Sequence, residues 1–118
     1  MNAEPSRLSA LARRKINSAD NDLFLSAASV WEIAIKYSIG KLPLPAPPGQ
    51  YVPARLAPTR TAPLAVELQH ALKVSELPHH HSDPFDRMLV AQAQIENLAL
   101  MTADEQLEAY DIQIIRAY

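Results

Sequence analysis

Cysteine is absent from the 118-residue chain, which removes disulfide frameworks, thiolate zinc sites, iron–sulfur clusters and cysteine nucleophiles together. Glycine is nearly absent, with two residues. No Gly-rich phosphate loop, G-x-S-x-G elbow or H-E-x-x-H pair occurs, so the enzyme classes built on those motifs lose their support. No apolar run approaches the roughly 18 residues that cross a bilayer. The start, MNAEPSRLSALARRK, has no hydrophobic stretch after its basic residues. Neither a membrane span nor a signal peptide is expected, and the expected location is cytoplasmic. A strong basic field is missing too: 11 Lys/Arg against 13 Asp/Glu leave a net charge of −2, so overall charge does not advertise nucleic-acid binding.

What is present is the composition of one folded domain, 48% hydrophobic and 20% charged, with length for a single core over residues 1–118. Charge is divided unevenly: residues 1–60 carry eight basic and four acidic side chains, residues 61–118 three and nine. Ten prolines are present, and seven of them fall between Lys41 and Pro63. That stretch reads as a connector, with regular structure limited to a short piece such as Tyr51–Leu56. Apolar spacing predicts a helix over Ser6–Asn17, a strand over Asp22–Ser26, and a helix running from Ser29 as N-cap to Gly40 as the residue after its end. Downstream, a strand is expected at Ala62–Val66, a short helix at Leu68–Val74 and a long helix at Asp83–Asn97. Pro84 suits the first position of that long helix, and Phe85, Met88, Leu89, Ala93 and Ile95 make its apolar face. A strand at Leu98–Thr102, a short helix at Asp104–Ala109 and a strand at Ile112–Arg116 complete the chain. Alternating strands and helices predict an α/β domain with a mainly parallel sheet flanked by helices. Trp31, Tyr37 and Phe85 are expected in its core.

Four acidic residues, Glu32, Asp83, Asp86 and Asp104, fall at expected strand-to-helix junctions, each in a first helical turn. In an open parallel sheet these junctions share one edge, where residues distant in sequence converge. Gathered carboxylates repel one another, and a hard divalent cation such as Mg²⁺ or Mn²⁺ relieves that repulsion. Taken singly, each has a plain structural reading. Ser29-x-x-Glu32, Asp83-x-x-Asp86 and Thr102-x-x-Glu105 are capping-box patterns, and acidic residues in first turns gain from the helix dipole. The run His79-His80-His81 cannot direct all its rings at one ion and reads as an exposed loop, although one histidine beside a carboxylate cluster could contact a phosphate or move a proton. Lys36, four residues after Glu32, suits a surface ion pair. Lys41, Arg55 and Arg60 are scattered cations that could touch a polyanion.

LFLSAASVWEIAIKYSIGKLPLP (23–45) followed by LPHHHSDPFDRMLVAQAQIENLALMTADEQLEAYDIQII (77–115) resembles the PIN-domain ribonucleases, and among them the VapC-like toxins of bacterial type II toxin–antitoxin pairs. The motif order S-x-W-E-I, H-x-D-P-F-D-R-x-L-x-A-Q-A, T-x-D is far more specific than any one acidic residue. The resemblance implies a metal-dependent endoribonuclease whose carboxylates hold Mg²⁺ or Mn²⁺ and whose metal-activated water hydrolyses RNA phosphodiesters. Carried over by motif, Glu32, Asp86 and Asp104 are the catalytic carboxylates, and Asp83 is a further metal ligand. Arg87 and Lys36 are expected to contact substrate. The partners implied are RNA, a VapB-like antitoxin whose C-terminal segment covers the acidic groove, and a second copy in a homodimer.

One departure stands beside the matches. Similar PIN domains begin with a strand of the form L-L-D-T-x-x-x-x-W that lies centrally in the sheet and ends in an aspartate; the sequence instead starts at a segment resembling the following helix. The expectation is a fold lacking that first central strand, with two neighbours left unpaired, and weak or no RNase activity. Two accounts fit: an upstream coding start, or a degenerate toxin. The competing function is a catalytically impaired module that binds an antitoxin or other basic peptide without cleaving RNA; a DNA-directed nuclease of the same fold differs only in substrate.

Overall fold

A computed structural model describes residues 22–116; the helix expected over Ser6–Asn17 lies outside the described residues. Strand β1 (Leu23–Ser26) runs directly into helix α1 (Ala27–Ser38). Ser26 is both the last strand residue and the N-cap, its Oγ accepting the Ala28 N–H at 3.1 Å. The expected cap, Ser29, is instead buried inside the helix, because extended backbone at Ser26 already aims a hydroxyl at the unpaired N–H groups. At the other end Gly40 has φ +75°, the Gly40 N–H reaches the Tyr37 carbonyl and the Lys41 N–H reaches that of Lys36. This is a Schellman close, as expected from Gly40.

The proline-rich stretch holds a longer helix than expected, α2 (Pro48–Leu56). Pro48 occupies a first-turn position that needs no N–H, and the carbonyl that Pro53 leaves unserved belongs to exposed Gly49, so neither proline breaks so short a helix. Strand β2 (Thr61–Leu64), helix α3 (Leu68–Val74), helix α4 (Pro84–Glu96), strand β3 (Leu100–Thr102), a 3-10 turn (Glu105–Ala109) and strand β4 (Ile114–Arg116) follow. Asp83 caps α4, accepting from Phe85 and Asp86 N–H groups, and Asn97 ends it in the left-handed region at φ 56°.

The strands are parallel, as expected, but among the described residues they form two pairs. β1 lies against β2 in the register Leu23 to Thr61, and β3 against β4 in the register Leu100 to Ile114. Two-stranded units have little stability of their own, so the helices hold them. The core gathers around the second pair: Leu77, Val90, Ala91, Leu107 and Tyr110 are buried together, with Val74, Leu100, Ile112 and Ile114 packed on them.

Helix α4 packs against α3, α1 and β3, and being enclosed from several sides it buries Arg87, Val90, Ala91, Gln92 and Ala93 rather than the single apolar face expected. Trp31 is not core either. It is 63% exposed and meets Phe85 edge-on at a centroid distance of 5.1 Å. With Ile35 and Ile39, also exposed, it forms a stripe at i, i+4, i+8 along α1.

Both buried polar side chains of α4 are fully engaged. Gln92 accepts from the Ser26 hydroxyl and donates to the Ala65 carbonyl, tying the ends of β1 and β2 to the helix. Arg87, 7% exposed, donates through Nη1 to the Pro78 and His81 carbonyls and the Tyr110 hydroxyl, and through Nη2 to the Val74 and Leu77 carbonyls. Removing it orphans several buried acceptors at once. The variant Arg87→Met is expected to lose at least about 3 kcal/mol of stability, since one charge-assisted hydrogen bond alone contributes about 1.5–3 kcal/mol; urea denaturation of parent and variant measures it.

Candidate metal centre

Asp86 stands in the first turn of α4, and Asp104 follows β3 as the N-cap of the 3-10 turn. The two elements bring their carboxylates together at one point, where His81 of the preceding loop joins them. His81 Nε2 lies 2.7 Å from Asp104 Oδ2 and 3.3 Å from Asp86 Oδ2. Ligand atoms of all three lie within 4.8 Å of one another. Asp104 is held from both sides: its N–H donates to Thr102 Oγ1 at 3.1 Å, and its Oδ1 accepts the Gln106 N–H at 2.9 Å.

Glu32 and Asp83 stand differently. Glu32 falls in the second turn of α1, not the first, and its carboxylate pairs with Lys36 at 3.0 Å; Lys36 makes the ion pair that its spacing suggested. Asp83 spends Oδ1 on the α4 cap, accepting Phe85 N–H at 2.8 Å and Asp86 N–H at 3.1 Å. Both still act on Asp86 through their charge. Arg87, expected to contact substrate, is placed instead where its donors hold the 74–81 loop from within. Arg55 lies over the Tyr51 ring at 4.4 Å.

Of the three consecutive histidines, His79 and His80 are exposed as expected, His80 resting edge-on against Tyr110 at 5.1 Å. His81 is drawn inward. The two-residue spacing from His81 to Asp83 is the signal for this, because it lets the ring accept the Asp83 N–H through Nδ1, at 3.1 Å. A second histidine passed over in the sequence, His70, is fully buried. Its Nδ1 accepts the Glu67 N–H at 3.0 Å and its Nε2 meets Glu96 Oε2 at 2.8 Å. Although Glu67, His70 and Glu96 bring ligand atoms together, both ring nitrogens are already used, Nδ1 in capping α3 and Nε2 in joining it to α4.

The electrostatics of Asp86 and Asp104 diverge. Burial, reinforced by the charges of Asp83, Glu32 and Asp104 and opposed by His81, pushes the Asp86 carboxyl above the usual carboxylate range. Asp104 moves below that range, first through its hydrogen bond from His81 and then through the Gln106 N–H. Oxygen donors from two elements, under negative charge that the protein does not fully offset, fit a hard divalent cation.

The two shifts predict opposite stability effects. Ionised Asp86 costs the metal-free fold stability at neutral pH, and that cost fades as pH falls through its raised value toward 3.8. Asp86→Asn is therefore expected to melt above the parent at pH 7 without metal. Ionised Asp104 stabilises above 3.8, and its contribution is lost as pH falls below that value, so Asp104→Asn is expected to melt below the parent at pH 7. Metal-free melting of the three proteins between pH 3 and 8 checks both signs.

With this geometry established, comparison with known proteins is direct. The PIN-domain family profile matches residues 3–113, a span that contains Glu32, Asp83, Asp86 and Asp104. Ribonuclease VapC16 of Mycobacterium tuberculosis is 48% identical to this chain over 58 residues, which amount to 49% of this chain and 41% of that protein. The chain thus aligns with less than half the length of that relative. The family match covers nearly all of this chain, and its carboxylates converge at a junction of helix and strand ends: the chain belongs to the PIN-domain family.

Proposed function

We propose that the protein is a metal-dependent endoribonuclease toxin of the VapC type, one PIN-like domain over residues 1–118, acting in the cytoplasm and neutralised by a VapB-like antitoxin. The observation that carries this is the meeting of Asp86 and Asp104, 18 residues apart and on different elements, with carboxylate oxygens close enough to share one ion. The name of the relative, a ribonuclease, supports RNA as substrate. Among the described residues no helix is long and apolar enough to cross a membrane. The exposed stripe of Trp31, Ile35 and Ile39 is surface suited to a partner, consistent with a homodimer.

In this reading Asp86 and Asp104 hold Mg²⁺ or Mn²⁺, with Glu32 and Asp83 adding charge around them. When bound, such an ion makes water nucleophilic near neutral pH and offsets charge on the phosphoryl oxygens. Lys36, paired with Glu32 at 3.0 Å and with 44% of its side chain accessible, is available to a substrate phosphate. Arg87 contributes at one remove, by fixing the loop that carries His81. Neutralisation would come from a basic segment of the antitoxin lying over the acidic residues, as the VapC resemblance implies.

A second reading, a PIN-like module that binds a basic peptide without cleaving RNA, is favoured by the Lys36–Glu32 pair and the Asp83 cap, which leave two carboxylates within ligand distance. Metal and RNA separate the readings. A nuclease is expected to melt higher with millimolar Mn²⁺, by about 2.7 kcal/mol of stability at a hundredfold excess over Kd, and to cleave RNA. Asp86→Ala and Asp104→Ala are expected to lower cleavage by more than about 100-fold, since even changes behind the ligands typically cost 10–100-fold. No melting shift and no cleavage, with an Arg-rich peptide still bound, selects the module.

A further inference from the structure

His81 is held from three directions. Its backbone N–H donates to the Tyr110 hydroxyl at 3.0 Å, its carbonyl accepts from Arg87 at 3.4 Å, and its Nδ1 accepts the Asp83 N–H at 3.1 Å. The last bond decides the chemistry of the ring. With Nδ1 accepting, the hydrogen of a neutral imidazole sits on Nε2; Nε2 donates to Asp104 Oδ2 at 2.7 Å and lies 3.3 Å from Asp86 Oδ2. A donor cannot at the same time be a metal ligand, so in this orientation His81 is not the third ligand that its proximity suggests. It stands beside the two carboxylates that would hold an ion. The side chain is 13% exposed, so the ring is packed beside those oxygens and not extended into water.

We propose that His81 is a resident competitor of the metal: its Nε2–H group donates to Asp104 beside Asp86 and must turn away for a cation to reach the two carboxylates. This rests on the metal site proposed above. A cation takes the place of the hydrogen-bond donor on Asp104, so part of its binding energy is used to displace the ring, and apparent affinity falls with the fraction of time the ring is away.

The test is Mn²⁺ binding to parent, His81→Ala and His81→Asn, read by the free-ion electron paramagnetic resonance signal and by the melting shift. Both variants are expected to bind Mn²⁺ several-fold more tightly than the parent. Equal or weaker binding by the variants, with the parent still binding, overturns the competitor role while leaving the metal site intact; absence of Mn²⁺ binding in all three overturns both. A second measurement needs no variant. In the ¹⁵N-histidine-labelled parent, the His81 ring is expected to show hydrogen on Nε2 and an unprotonated Nδ1 without metal. Saturating Mg²⁺ should then move its Nε2 signal to that of a solvent-facing N–H. A ring signal unchanged by Mg²⁺ that raises the melting temperature, or one that loses its Nε2 hydrogen to direct coordination, overturns the proposal.

Discussion

A positive charge sits out of water at Arg87, and carbonyl oxygens answer it instead of a carboxylate. The guanidinium gathers the main chain of residues 74, 77, 78 and 81 together with the Tyr110 hydroxyl, so a stretch with little regular structure between α3 and α4 acquires one shape. Burying an unpaired ion would be prohibitive; here several acceptors share the charge, and the loop has no cheaper arrangement. The candidate site inherits its order from this. His81 has its carbonyl on Arg87 and its N–H on Tyr110, and its ring bonds Asp104 while lying 3.3 Å from Asp86. An arginine inside the fold thus governs where the side chains of the candidate site lie.

Helix α4 concentrates this logic. Along D-P-F-D-R-x-L-x-A-Q-A the polar residues divide the work: Asp83 caps the helix, Asp86 faces the site, Arg87 shapes the loop, and Gln92 joins the ends of β1 and β2. Three of them strengthen the fold. Asp86 works against it, its carboxyl raised by burial and by neighbouring charge, as is common where stability is given up for chemistry. The opposite behaviour of Asp104, whose carboxylate is satisfied by His81 and Gln106, shows that two members of one cluster need not share an electrostatic character.

Much of the architecture was legible in local signals. Pro84 after Asp83, Gly40 after α1 and Asn97 after α4 mark helix ends by backbone chemistry that tertiary packing does not override, and those boundaries agree with the sequence to within a residue or two. The convergence of Asp86 and Asp104 followed from the alternation of strands and helices. Burial was less legible. Trp31 and Phe85 sit at helical spacing among apolar neighbours, yet periodicity cannot say how many sides of a helix are covered, and α1 keeps a face open while α4 is enclosed. The roles of Arg87 and Gln92 were hidden for the same reason, since a polar residue in a motif suggests a ligand until its partners are seen to be main-chain groups. His81 was obscured by its two exposed neighbours of the same type. Glu32 followed the cap pattern of Ser29, which Ser26 pre-empted one turn earlier, and so moved from the first turn to the second.

The edge-on packing of Trp31 on Phe85 has an optical consequence. This indole belongs to the sole tryptophan of the sequence, its residue adjoins Glu32, and the ring it touches adjoins Asp86. Being largely open to water, it emits from a polar environment, and a partner covering the exposed stripe of α1 alters that environment. The protein thus carries one indole fluorophore, set against the residue that precedes Asp86 on α4, and ultraviolet excitation alone reports on changes at that contact.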